Sequence, residues 1–381
     1  MDREIPLGSN YSQNNLIMII NSFSLISLLG FQLITWLLFV LSYFLKINLL
    51  NFPTWTFWLV IAAWITFVAR HNLRQLFILL FAILIFILPS LWFPVTGWDS
   101  ITLYDFRAQI LLHTGNISDT LFRASVVDYP MFTTLLHFLF YRSGLSTPMP
   151  IYAFLYLLFG LQLYSLFRRT NSAKLSLVLA LVVTMAPKLF EHSHIAYANF
   201  PYTIYLVLGT FYLYYWTINK KMKDLLLGIL LCLASLWIRS FPFGLIPILA
   251  AMFVSIKSTR TQMAAIIVAA IAILIKYWPI NFSILVGILD FIKWGILKYY
   301  FPYPLIFVLS VIYQFQSKTK NWFIPFTILG FWAAIIIGNY SYALTDRIFA
   351  QIPDALQRTV MFLNPSISLY FLLLLTSKSK T

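Results

Sequence analysis

Charge is what this 381-residue chain has least of: Asp, Glu, Lys and Arg together make only 10% of it. A soluble domain carries about a quarter charged residues, so this chain cannot cover a water-facing surface of ordinary size. Cysteine is almost absent. Cys232 stands alone inside an apolar run, which excludes an intrachain disulfide and any CxxC metal or redox site. Phosphate loops of the GxxxxGK[ST] and GxGxxG types are missing, so cytoplasmic nucleotide chemistry has no support. GxSxG and HExxH are missing too. The first residues, MDREIPLGSNYSQNN, lack the basic-then-apolar order of a cleaved signal, so the first spans are expected to direct insertion.

What is present is apolar: 61% of residues are hydrophobic and the mean hydropathy is +0.85. Apolar runs near span length, separated by short basic clusters, predict an all-α polytopic membrane protein. Helices are the expected spanning form because each satisfies its own backbone in lipid. Spans are expected near Phe23–Leu45, Phe52–Ala69, Gln75–Phe93, Pro150–Phe167, Leu175–Phe190 and Asn199–Thr217. Others follow near Leu225–Ile238, Phe243–Ile256, Gln262–Ile280, Tyr300–Phe315, Trp322–Tyr342 and Thr359–Thr376. Tyr129–Tyr141 is too short for an ordinary span and reads as a helix that enters and returns or packs without crossing, and Asn281–Tyr299 reads as an interfacial helix. The count is about 12–13 helices.

The net charge of +15 does not indicate nucleic acid, because the bases are spread in small groups between spans. Arg70/Arg74, Arg168/Arg169/Lys174, Lys220/Lys221/Lys223, Lys257/Arg260, Lys318/Lys320 and Lys378/Lys380 all fall on one side, predicted cytoplasmic together with both termini. Asp99, Asp105, Asp119, Asp128, Glu191, Asp290, Asp346 and Asp354 fall on the other. The carboxylates are thus gathered where chemistry could use them. The organisation reads as N-terminal membrane helices in 1–93, an outer polar loop in 94–128, and the remaining bundle in 129–381. No separate soluble domain is expected.

The outer loop is the longest polar interruption. Asp99 follows Gly97 and Trp98 just after a span, at the membrane–water boundary. It could serve as a general base, a metal ligand, or simply the N-cap of the helix that follows. Ile101–Leu112 is amphipathic, fit to lie on the membrane surface, with Asp105 and Arg107 on different faces. A surface ion pair is the plain role for each, and the favoured one for Asp105. Asp128 before Tyr129-Pro130 fits a helix cap.

A second outer group is Lys188, Glu191, His192, His194, Tyr197 and Asn199. Glu191 and His194, with Asp99, are candidate ligands for a divalent metal, although their spacing matches no strong metal motif. The plainer reading is a polar loop lining a substrate entrance. Arg239 interrupts an apolar run and Arg358 precedes the last span; an arginine fork at such a place suits phosphate. Lipid-headgroup contact is the plain role for Arg358.

These stretches together resemble the GT-C superfamily of integral-membrane glycosyltransferases, such as protein O-mannosyltransferases and lipid A aminoarabinose transferases. WDSITLYDFRAQIL resembles the opening of that superfamily's first outer loop, with Asp99 in the place of the catalytic acid and Arg107 in the basic one. DYPMFTTLLH, HIAYANFPYTIYLVLG and LLCLASLWIRSFPFG resemble three later stretches. The likeness runs from Trp92 to about Met252. Asn199 stands where many relatives carry a second Asp, and Ser240-Phe241-Pro242 replaces Asn-Glu-Gly, so the case for a metal is weakened and no cofactor is required. The first two spans precede the usual start of the fold, as an added hairpin.

The resemblance implies a GT-C-like bundle and inverting transfer of a sugar from a polyprenyl-monophosphate donor on the extracytoplasmic face. Asp99 would be the base, and Arg239, Arg358 and Arg107 would hold the phosphate. Asp105, Asp128, Tyr129, Glu191, His192, His194 and Asn199 are further substrate-binding candidates. The acceptor would be a glycan, lipid or protein. Sequons at Asn116 and Asn281 would matter only in a eukaryotic secretory membrane, and the expectation is a prokaryotic plasma (inner) membrane. Three rivals remain: a lipid-linked sugar flippase or other transporter, a polysaccharide polymerase or ligase using diphosphate-linked donors, and, given the Asn199 departure, an inactive paralogue with a structural role.

Overall fold

A computed structural model describes residues 8–52, 81, 83–85, 87–121, 130–239, 245–256, 289, 292–293, 302–316, 321–333 and 361–377. Every regular element among them is helical. The expected spans at Phe52–Ala69 and Gln262–Ile280, and the surface helix at Asn281–Tyr299, lie wholly or almost wholly outside the described residues.

The chain divides into two compact units. The first comprises residues 1–202 with 237–240, and the second 203–236 with 241–381. In the first unit, α1 (Gly8–Phe39) continues into a π-helical turn, Val40–Phe44. It begins well before the expected Phe23. A loop helix follows: a π turn over Ser100–Asp105, then α2 (Phe106–Thr114), ended by Gly115 in the left-handed region. Next come α3 (Phe132–Arg142), α4 (Met149–Phe167), α5 (Ala173–Thr184) and α6 (Pro187–His192). Helix α7 (Asn199–Asn219) begins in the first unit and α8 (Met222–Ile238) ends in it.

Among the described residues, two helical stretches are long and apolar enough to cross a membrane, Ile20–Phe44 and Met149–Phe167. They pack on each other. Phe23 and Phe31 meet Phe154 edge-on, and the buried Gln162 amide of α4 donates to Ser24 Oγ and to the Asn21 carbonyl of α1. Between apolar surfaces such a bond fixes register where apolar packing alone would slide. The N-terminal segment set apart in sequence therefore contributes a helix packed into the first unit.

The short helix is short, as expected. Eleven residues in α3 span only about 16 Å, against about 30 Å of hydrocarbon. Its C-terminal Arg142 donates to the Leu50 carbonyl beyond α1. The single span expected at Leu175–Phe190 is corrected: α5 stops at Thr184, and α6 starts afresh at Pro187. Proline has no N–H to continue a helix and forces the residue before it out of helical geometry, as Ala186 shows with ψ 123°.

Helix α5 turns Leu175, Leu177, Val178, Leu181 and Val182 outward and buries Ser176, Leu179, Ala180, Val183 and Thr184.

In the second unit, α9 (Leu245–Ile256), α10 (Tyr303–Gln316), α11 (Phe323–Ala333) and α12 (Leu363–Ser377) follow α7 and α8. Helices α7 and α8 approach closely at small residues: a Cβ on Gly209 would lie 2.7 Å from Cys232 Sγ. Helix α10 repeats the pattern of α5, with Leu305, Val308, Leu309, Ile312 and Phe315 outward and Ser310 and Gln314 buried.

Candidate functional site

The site grows from Gly97. Its φ of +90° lets the chain turn sharply between the preceding segment and the loop helix, a conformation in which a side chain would be strained. The same glycine lies against Tyr197: a Cβ there would sit 2.7 Å from the phenolic oxygen. The Gly97–Trp98–Asp99 turn is thereby seated on the second polar group, which is nearly a hundred residues away in sequence. Nearby, the Thr147 hydroxyl donates to the Phe93 carbonyl at 2.9 Å, and the Phe93 ring lies 5.9 Å from that of His194.

Asp99 is partly exposed at the start of the π turn. Its backbone is helical and its side chain makes no capping hydrogen bond. The N-cap role is therefore not the one it plays. Asp99 opens an irregular helix of the kind that often accompanies function.

Asn199 and Arg239 meet. An Arg239 guanidinium nitrogen donates to Asn199 Oδ1, joining the start of α7 to the residue after α8. Tyr197, two residues before Asn199, is the residue against which Gly97 packs. Within the first unit, the structure thus brings the Asp99 turn, Tyr197, Asn199 and Arg239 into one neighbourhood.

The other members of the second group divide. Buried His192 has its ring 6.1 Å from that of Tyr197. His194 is exposed and packs on Phe190 at 4.8 Å, with Nδ1 3.0 Å from both the Ser193 hydroxyl and the Phe190 carbonyl. Exposed Glu191 pairs with Lys188 at 2.7 Å, one turn apart on α6. Among the described residues, no three His, Cys, Asp or Glu side chains gather as a metal set.

Asp105 corrects its expected role as half of a surface ion pair. It is partly buried, accepts a 2.5 Å hydrogen bond from the Tyr141 hydroxyl, and lies 3.4 Å from His137 Nδ1. Burial alone would raise its pKa; His137 and Tyr141 outweigh burial, and the carboxyl ends below its ordinary value. Burial pushes the Tyr141 phenol up, and the neighbouring carboxylate adds to the shift. Fully enclosed His137 is held below the ordinary histidine range by burial, against the pull of Asp105. Its Nε2 is 2.9 Å from the Tyr152 hydroxyl on α4.

Arg107 is also buried, contrary to a surface role. It lies with one guanidinium nitrogen 3.8 Å from Met131 Sδ. Burial lowers its pKa to about 10, which leaves it charged at neutral pH. Asp128, Tyr129 and Arg358 lie outside the described residues.

His137, Tyr141 and Tyr152 were not singled out in the sequence, yet a signal exists. Thr133, His137 and Tyr141 recur every fourth residue through FTTLLHFLFYR, a polar stripe on an apolar helix. That stripe marks His137 and Tyr141; Tyr152, on α4, carries no such mark. The chain matches no family model, curated protein or solved structure in the comparisons made.

Proposed function

We propose that this protein is a membrane glycosyltransferase that moves a sugar from a polyprenyl-monophosphate donor to an acceptor on the extracytoplasmic face, with Asp99 as general base. The observation that carries the reading is the contact of Gly97, two residues before Asp99, with Tyr197, two residues before the Asn199 that receives Arg239. A base and a phosphate-binding fork are what the reaction requires. A carboxylate takes the acceptor's proton as its oxygen or nitrogen attacks the anomeric carbon, and an arginine stabilises the charge left on the departing phosphate.

The membrane setting is supported by the two long apolar helices and by the outward apolar faces of α5 and α10, which carry their polar residues inward. Trp92 and Trp98, 72% and 78% exposed, flank the turn and suit the headgroup level. Lipid bilayer and lipid-linked donor would then meet Asp99 at the same depth. Arg107 is a less direct phosphate ligand in this reading, because it is buried beside Met131.

A transporter would place charges along the middle of its spans. Helices α1, α4, α7, α10 and α12 carry no Asp, Glu, Lys or Arg. The charged side chains of the described residues concentrate instead at helix ends and in the loop helix, which favours the enzyme.

The test is sugar transfer or release by purified protein offered a panel of polyprenyl-monophosphate sugars. One donor should turn over, and Asp99→Asn should lose about 10²-fold or more of that rate. Full activity in a folded Asp99→Asn protein would remove Asp99 from the chemistry. Failure to bind any donor would shift the reading to transport or to a diphosphate-linked donor.

A further inference from the structure

We propose that Asp105, Tyr141, His137 and Tyr152 form a latch that holds the loop helix, and Asp99 with it, against α3 and α4, and that protonation within the latch releases the helix. The chain of contacts crosses three elements. Asp105 ends the π turn and accepts from Tyr141 of α3 at 2.5 Å. The same carboxylate oxygen is 3.4 Å from His137 Nδ1, one turn earlier on α3. His137 Nε2 is 2.9 Å from the Tyr152 hydroxyl of α4. His137 and Tyr152 are each 1% exposed or less.

This arrangement suits one protonation state. A neutral imidazole can direct its Nδ1 proton toward Asp105 and accept the Tyr152 proton on Nε2. A second proton makes both ring nitrogens donors. The Tyr152 hydroxyl must then turn its own proton away inside an enclosed site, and a cation must be held where water cannot reach. Asp105 faces the ring from the loop helix, where Tyr104 is also near Tyr152. Tyr141 lies on the same helix as His137. Helix α1, which also packs on α3, carries no acid, base or histidine. One carboxylate therefore stands against the full cost of burial.

The sign follows. The latched histidine binds its proton less readily than a free one, whose pKa is about 6.5. As pH falls through that value, the released state takes up protons first, so the latch weakens with acid. Asp105, held low, adds a second loss only below about pH 4. The histidine limb is the one within physiological reach. An effect on activity rests on the glycosyl-transfer reading; the latch does not.

The experiment places a nitroxide on a cysteine substituted at exposed His113, near the end of the loop helix. The substitution also removes that helix's own histidine. The native cysteine, Cys232, is buried and leaves the label site single. In lipid bilayers the spectrum should be that of an immobilised label near pH 7.5 and sharpen as pH falls to about 5. His137→Gln should abolish that pH response. Tyr141→Phe, losing only a hydroxyl, should show a mobile label already near pH 7.5. A native spectrum unchanged over the range, or a full pH response in His137→Gln, overturns the latch. If His137→Gln fails to fold, an unaltered Tyr141→Phe spectrum at neutral pH does so alone. A label that switches in a protein that turns over no donor would leave the latch standing and count against the transfer reading.

Discussion

Arg239 is aimed by a neutral group: Asn199 accepts a hydrogen bond from the guanidinium and fixes its direction. The resembled families often carry Asp at that position, and a carboxylate there would compete with a phosphate for the same nitrogens. Asn199→Asp should therefore raise the donor KM several-fold and change kcat less, measured by steady-state transfer. An unchanged or lower KM would mean that Arg239 does not hold the donor. Gly97 makes a separate residue-scale prediction. Ala at this position meets both an unfavourable φ and the Tyr197 ring, so Gly97→Ala should cost about 1 kcal/mol or more. A thermal midpoint in detergent equal to the native one would show that the turn relaxes freely.

At the scale of elements, the registry of α1 on α4 depends on Gln162. Its amide serves two oxygens of α1 inside an apolar contact. Gln162→Leu preserves volume but removes both bonds, at a cost of about 1–2 kcal/mol. The expected result is a lower thermal midpoint with retained helix content; an unchanged midpoint would assign the registry to packing alone. Much at this scale was legible in advance. Run length and the absence of charge place Pro150–Phe167 within a residue of α4, and Tyr129–Tyr141 is too short for an ordinary span. The break at Pro187 was not read: the expected span ran through it, although proline's missing N–H acts locally. Nor was the π turn over Ser100–Asp105. One extra residue per turn leaves no mark in an apolar pattern read at helical spacing.

For the whole molecule, the charge pattern makes a topological prediction. Ser146, between α3 and α4, and Lys174, at the start of α5, are both exposed and are separated by the α4 span. A cysteine at Ser146 should react with an impermeant maleimide on intact cells, and one at Lys174 only after permeabilisation. Labelling of both from the same side would mean that α4 does not cross. Buried Cys232 keeps the background low.

What the sequence by itself determined was composition-driven. Helical elements throughout the described residues, and the bounds of α4, follow from hydropathy and charge. Those are properties of each residue and its near neighbours, and they survive being read in one dimension. Asp99, Asn199 and Arg239 could be named as polar residues at helix ends, but not as neighbours. Only the tertiary structure decided that Gly97 rests on Tyr197, that Asn199 receives Arg239, and that the half-buried Asp105 turns to His137 and Tyr141. Those contacts join residues tens to a hundred positions apart. They depend on which faces of α3, α4 and the loop helix pack together, and hydrophobic patterning leaves that choice open because several packings bury the same apolar area.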